Sequence, residues 1–221
     1  ERLDQPLRWR KPRRIFVNSM SDLFHERLTN EQIAAVFGVM AVATQHTFQV
    51  LTKRAARMRD WFGWLADLHW ANAMNGAVVA ALAGHHVDLA LWDDRVRTAS
   101  FSPTFKGWPI PLPNVWLGVS VENQAAADER IPDLLATPAA VRWLSVEPQI
   151  GPVVLRPEWL AGLHWVVVGG ESGPGARPFD LGWARSLVAQ CRAAEVPCFV
   201  KQLGSRPFER ANVVELAPAA Q

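Results

Sequence analysis

Two cysteines, no tyrosine and four lysines in 221 residues mark this chain first by what it lacks. Cys191 and Cys198 are too few for a disulfide framework or a self-contained zinc module, which needs about four ligands. No stretch approaches the roughly 18 uninterrupted apolar residues that mark a membrane-spanning helix. The opening residues carry no apolar h-region, so neither a membrane span nor a signal peptide is expected. With so little cysteine, a reducing cytoplasm is the expected compartment. Charge of either sign is nearly absent in the balance: 23 Lys and Arg against 21 Asp and Glu leave +2, which is no nucleic-acid signature for the chain as a whole. The missing Tyr and scarce Lys stand beside 11 Trp and 19 Arg. A GC-rich coding sequence produces that bias, because Tyr and Lys codons are AT-rich.

What is present is a globular composition, 49% apolar and 20% charged at a mean hydropathy of zero. That excludes a disordered or low-complexity fibre and suits one sizeable domain with a real core. The chain repeats one pattern, a short β-branched or aromatic run that ends in polar residues and is usually followed by a helical stretch. The runs are Arg14–Val17, Phe48–Leu51, Val115–Val119, Val141–Val146, His164–Val168 and Pro197–Val200. Apolar runs with little alternation suit strands buried on both faces, as in parallel sheets. Between them, Thr29 and Gln32 form a capping box ahead of an Ile33, Val36, Phe37, Met40 stripe. A helix from Arg54 to about Leu68 carries Met58, Trp61, Phe62 and Leu65, while Asn123 and Asp180 cap two more. Strands alternating with helices predict an α/β fold of βαβ units. The rhythm breaks between about Ala66 and Pro113, where an Ala-rich stretch, a charged patch and a Pro-rich turn read as an insertion, with His85-His86 on a loop.

In parallel α/β folds, ligands gather at the carboxyl ends of the strands. Here those ends carry Asn18, Ser21 and Asp22; Lys53 and Arg54; Ser120, Glu122 and Asn123; Glu147; Glu171 and Ser172; and Lys201 and Gln202. Together they predict one polar pocket, with Lys53, Glu122, Glu147 and Glu171 converging on it. The loop Gly169–Pro178 is glycine-dense, which lets a ligand approach closely and can present N–H groups to an anion, or makes a tight turn between strand and helix. It matches neither phosphate-binding fingerprint. Cys191 and Cys198 read as core fillers, and His25 and His46 as structural. Arg8, Arg10, Lys11, Arg13 and Arg14, five cations around Trp9, form a run suited to a phosphate backbone or to plain solvation.

The segments FVNSMSDLFH (Phe16–His25), FQVLTKR (Phe48–Arg54), NVWLGVSVENQ (Asn114–Gln124), LSVEPQIGP (Leu144–Pro152), WVVVGGESGPGARP (Trp165–Pro178) and CFVKQLG (Cys198–Gly204) closely resemble the phage Gp thirty-seven/Gp sixty-eight family, found in phages, prophages and bacteria. That family looks like a branch of the radical SAM superfamily, distantly similar to spore photoproduct lyase. The resemblance implies a partial (β/α) TIM-like barrel over residues 1–221, S-adenosylmethionine (SAM) as cofactor, and a [4Fe–4S] cluster held by an N-terminal cysteine motif. This chain has no such motif and begins at Glu1, so an N-terminally truncated barrel without its first strand and without cluster ligands is expected. By the same resemblance, Ser120, Glu122, Asn123, Gly169 and Gly170 are the candidate cofactor-binding residues. Lys53, Glu147 and Glu171 are the candidate catalytic ones. The GGE tripeptide follows a late strand here rather than the second, so its role in that superfamily is not carried over.

Three functions follow: a radical-SAM-like enzyme, inactive as it stands; a cluster-free barrel hydrolase using two of Glu122, Glu147 and Glu171 as acid and base, roughly 5–10 Å apart; or a non-enzymatic nucleic-acid-binding protein using the Arg8–Arg14 run.

Overall fold

The computed structural model describes residues 3–67 and 110–209. Most of the expected insertion, including Ala73–Leu91 and His85-His86, lies outside the described residues. At its margins, Asp67 ends a helix and Leu112 is buried in the core.

Each apolar run forms a strand. They are β1 (Arg14–Val17), β2 (Thr47–Thr52), β3 (Val115–Ser120), β4 (Val141–Val146), β5 (Trp165–Gly169) and β7 (Cys198–Gln202), joined in one six-stranded sheet in that order. Every pairing is parallel. A second, two-stranded sheet pairs β6 (Phe179–Asp180) with β8 (Pro207–Phe208), which the sequence pattern did not suggest.

Neighbours in the sheet are neighbours in sequence, so right-handed crossovers place the connecting helices on one side. The sheet curls into a half-barrel. The helices are α1 (Gln5–Arg8), α2 (Asn30–Val42), α3 (Ala55–Asp67), α4 (Gln124–Ala136), α5 (Pro157–Leu160) and α6 (Leu181–Ala193). Thr29 caps α2 through the expected box with Gln32, the Asn123 side chain accepts from Ala126 N at 3.0 Å to start α4, and Asp180 accepts from Gly182 N at 2.9 Å to start α6. Ser, Thr, Asn and Asp do this because their short side chains reach the first free N–H groups of a helix.

The two faces of the sheet differ. Phe48, Val50, Leu117, Val119, Leu144, Val146, Val166 and Val168 join the main core with the helices. α2 is buried on more than its expected stripe: Ala34, Ala35, Val39 and Ala41 are covered along with Ile33, Phe37 and Met40. Phe24, Phe37, Trp61 and Phe62 knit α2, α3 and the β1–α2 loop into one aromatic cluster, with Phe37 and Trp61 centroids 4.5 Å apart. The strand residues of opposite parity, among them Gln49, Trp116, Gly118, Trp143, Trp165 and Val167, form the other face, inside the curl.

Candidate functional site

The carboxyl ends of the strands meet along one rim. Backbone bonds lock them there: Val121 N to Ser145 O at 2.8 Å, Ile150 N to Glu122 O at 2.9 Å, Gln149 N to Gly169 O at 2.8 Å and Gly170 N to Gln202 O at 3.1 Å. Asp22, in the loop after β1, accepts from Thr52 Oγ1 at 2.7 Å, Lys53 N at 3.2 Å and Arg54 Nη1 at 3.0 Å. It thereby fixes the end of β2, and with it the start of the Lys53 side chain.

On this rim the carboxylates are paired with cations. Glu122 accepts from Arg130 Nη1 at 2.9 Å and forms an ion pair with Lys53. Its side chain is 12% exposed. Burial alone would raise its carboxyl, but the Lys53 hydrogen bond and the Arg130 charge outweigh that and hold it below the ordinary carboxylate value. Glu147 accepts from Lys201 Nζ at 3.0 Å and from Gln202 Nε2 at 2.6 Å. Glu171 takes Arg177 through Nε at 2.6 Å and through its backbone N at 3.0 Å, and these bonds hold its carboxyl low as well. Arg177 is also drawn by the charge of Glu122, which links the two pairs electrostatically.

The expected site residues therefore share one rim but pair in separate sets: Lys53 with Glu122, Glu147 with Lys201 and Gln202, Glu171 with Arg177. Ser120 is buried, and its carbonyl accepts from Arg130 Nη1 at 2.8 Å. The Asn123 side-chain oxygen serves as a helix cap. Gly169 and Gly170 are tightly packed within the chain: a Cβ on Gly169 would lie 2.9 Å from Glu147 Oε1, and one on Gly170 2.5 Å from the Leu203 carbonyl oxygen. Arg130 and Arg177 were not foreseen as part of the set. Arg130 lies two turns along α4 from the strand end, and Arg177 is the sole cation of the glycine-dense loop, which was a usable signal.

A cavity of about 470 Å³ lies elsewhere, against β1 and lined by Trp9, Ile15, Phe16, Met20 and Met40 among others. None of Lys53, Glu122, Glu147 or Glu171 lines it. Among the described residues, no three His, Cys, Asp or Glu side chains come together to hold a metal. Cys191 is buried in α6, and Cys198 opens β7 at the sheet end opposite the rim. A hydrogen bond between the two and burial push the Cys191 thiol up, while the same bond lowers Cys198. A [4Fe–4S] cluster does not fit the described residues. His46 is structural: buried, its Nδ1 accepts from Arg13 N at 3.2 Å and its Nε2 lies 2.9 Å from Pro6 O.

A family model described as a protein of unknown function, DUF5131, matches residues 1–219. The chain belongs to that family. No curated protein and no solved structure matches it. Among the described residues no helix is long and apolar enough to cross a membrane.

Proposed function

We propose that the rim of the half-barrel binds SAM, as the radical-SAM-like resemblance implies. The observation that carries this reading is Glu122. It is a mostly buried carboxylate held ionised at a strand end between Lys53 and Arg130. A fixed anion with an adjoining half-exposed ammonium is complementary to a small zwitterion that also carries hydroxyl groups. Glu122 would accept from ribose hydroxyls, and Lys53 would meet the methionine carboxylate. Ser120 and Asn123 flank that position in sequence. SAM supplies a carbon activated by its sulfonium. An iron–sulfur cluster has no place in this reading, since the described residues do not fit one. The paired-carboxylate hydrolase would have neither Glu122 nor Glu171 as its acid. Its general acid needs a raised pKa, whereas Glu122 and Glu171 are held low.

Titrating the 221-residue protein with SAM and with 5′-deoxyadenosine, followed by NMR chemical shifts, tests the reading. Binding near millimolar is expected, about 4 kcal/mol, with shifts clustered at the ends of β2, β3 and β5. Glu122→Ala should abolish it, since hydrogen bonds to a charged group contribute about 1.5–3 kcal/mol. Lys53→Met, which leaves the Arg130 pair intact, should weaken SAM more than 5′-deoxyadenosine. Shifts confined to other parts of the fold, or none at millimolar ligand, would overturn the assignment.

A further inference from the structure

The inner face of the half-barrel carries aromatic rings from one edge of the sheet to the other. Register places Phe16 of β1, Trp116 of β3, Trp143 of β4, Trp165 of β5 and Phe199 of β7 on this same face. Four of these rings, all but Phe199, touch in series. Phe16 meets Trp143 edge-on at 6.3 Å, Trp143 stacks on Trp165 at 4.9 Å and 19°, and Trp165 meets Trp116 at 6.2 Å. Phe16 reaches Trp143 although two strands separate β1 from β4, which is the curl of the sheet seen in side chains. Gly118 makes room for this row: a Cβ there would overlap the Trp143 indole. The outermost rings are open to solvent, Phe16 at 44% and Phe199 at 57%. Between them Trp116 and Trp165 are half-buried and Trp143 is buried, so the row is a packed aromatic floor with exposed rings at both ends. Large exposed apolar side chains held by such a floor mark a binding face more than a scattered exposed residue does.

The basic run lies at one end of this row. Arg14 and Phe16 alternate along β1 and share its inner face. Arg10, Lys11, Arg13 and Arg14 are all exposed. Elsewhere Arg54, Arg59, Arg130, Arg156, Arg177 and Arg185 are taken up by carboxylates, and the exposed arginines without such a pair, Arg27, Arg192 and Arg206, stand far apart in the sequence. Among the described residues the four cations of the run have no carboxylate partner. Their segment is nevertheless pinned. Arg13 N donates to His46 Nδ1 at 3.2 Å, its carbonyl accepts from Thr47 N at 2.9 Å, and Gln45 Nε2 donates to the Trp9 carbonyl at 3.3 Å. The Arg13 guanidinium lies 4.3 Å over the Trp9 ring. Four unneutralised cations on an ordered backbone form a preorganised surface for phosphates.

We propose that this inner face binds single-stranded nucleic acid, with bases stacked on the exposed Phe16 and Phe199 and against the half-buried Trp116 and Trp165, and phosphates on Arg10, Lys11, Arg13 and Arg14. Sheet faces with exposed aromatics bind unpaired bases because every base has a flat π-face, and flanking cations track the backbone. A duplex keeps its bases stacked on each other and presents none to the rings. An anionic bilayer offers charge, but a flat surface cannot follow the inside of a curl. The inference shares no residue with the Glu122 cluster and stands independently of SAM binding.

The test uses the full chain, a labelled oligo(dT) of about 12 nucleotides and a duplex of equal length, read by anisotropy between about 50 and 200 mM salt. The single strand should bind in preference to the duplex and change the intrinsic tryptophan fluorescence. Four phosphate contacts give a slope of log K on log salt of about −3, and Arg10→Gln/Lys11→Gln/Arg14→Gln should reduce it by about 2. Phe16→Ala and Phe199→Ala, both solvent-exposed and checked for fold by circular dichroism, should each weaken binding about fivefold or more. No binding near 50 mM salt overturns the proposal. So does equal affinity for the duplex with no effect of the Phe variants, or equal affinity for phosphatidylserine vesicles. If the oligonucleotide binds and SAM does not, only the SAM reading falls.

Discussion

Gly170 and Gly63 carry the same residue type for opposite reasons, and the difference is measurable. The Cα of Gly170 lies where the loop after β5 passes the segment after β7, so a methyl group would meet the Leu203 carbonyl at 2.5 Å and Gly204 N at 3.0 Å. Both obstacles are backbone and neither can rotate away. Gly63 lies on an exposed turn of α3 with nothing within 4 Å of a built Cβ. Gly170→Ala should therefore destabilise the protein by about 1–3 kcal/mol through overpacking. Gly63→Ala should stabilise it by about 0.5–1 kcal/mol through helix propensity. Urea unfolding of both variants checks this, and equal midpoints would show that neither contact governs the choice of glycine.

At the scale of elements, the strands and caps were legible and the faces were not. An apolar run of four to six residues reads as a strand whichever side each residue takes, so β3 to β5 were found as strands buried on both faces while the side taken by Trp116, Trp143 and Trp165 stayed open. Only register shows that these three point away from the helices and toward Phe16. The polar strand ends were equally readable, since each follows its strand directly. Their pairing was not, because Glu122 reaches Arg130 on a helix and Glu171 reaches Arg177 around a loop. α2 shows the part that local sequence does settle. Thr29 accepts from Gln32 N at 3.3 Å, and Gln32 Oε1 accepts from Thr29 N at 2.9 Å. Thr29→Ala removes half of that exchange and should cost about 1 kcal/mol, measurable as a lower unfolding midpoint. Thr29→Ser should retain most of it.

For the whole molecule, the ionic rim makes stability depend on acid in a definite direction. Glu122 and Glu171 are both held below the ordinary value of 4.5. A carboxylate whose folded pKa is depressed contributes stability that is full above its unfolded pKa and lost as pH falls through the folded one. The denaturant midpoint should thus stay nearly level on acidification until about pH 4.5 and fall below it. Glu122→Gln should make that fall shallower while lowering the midpoint at pH 7, because Lys53 and Arg130 lose their shared anion. A midpoint that rose below pH 4.5 would contradict the assigned pairings.

Strand order follows chain order throughout the six-stranded sheet. Each strand consequently exchanges its backbone ladder hydrogen bonds only with the strand before and the strand after, as links do in a chain. A disturbance in β1 reaches β7 by way of four intervening strands along the hydrogen-bonded ladder, unless it crosses through the ring row on the inner face. That row is a second route for cooperativity. It ties Phe16 to Trp143 directly, past two strands, and makes the front half of the half-barrel behave as one body where the backbone alone would let it open a unit at a time.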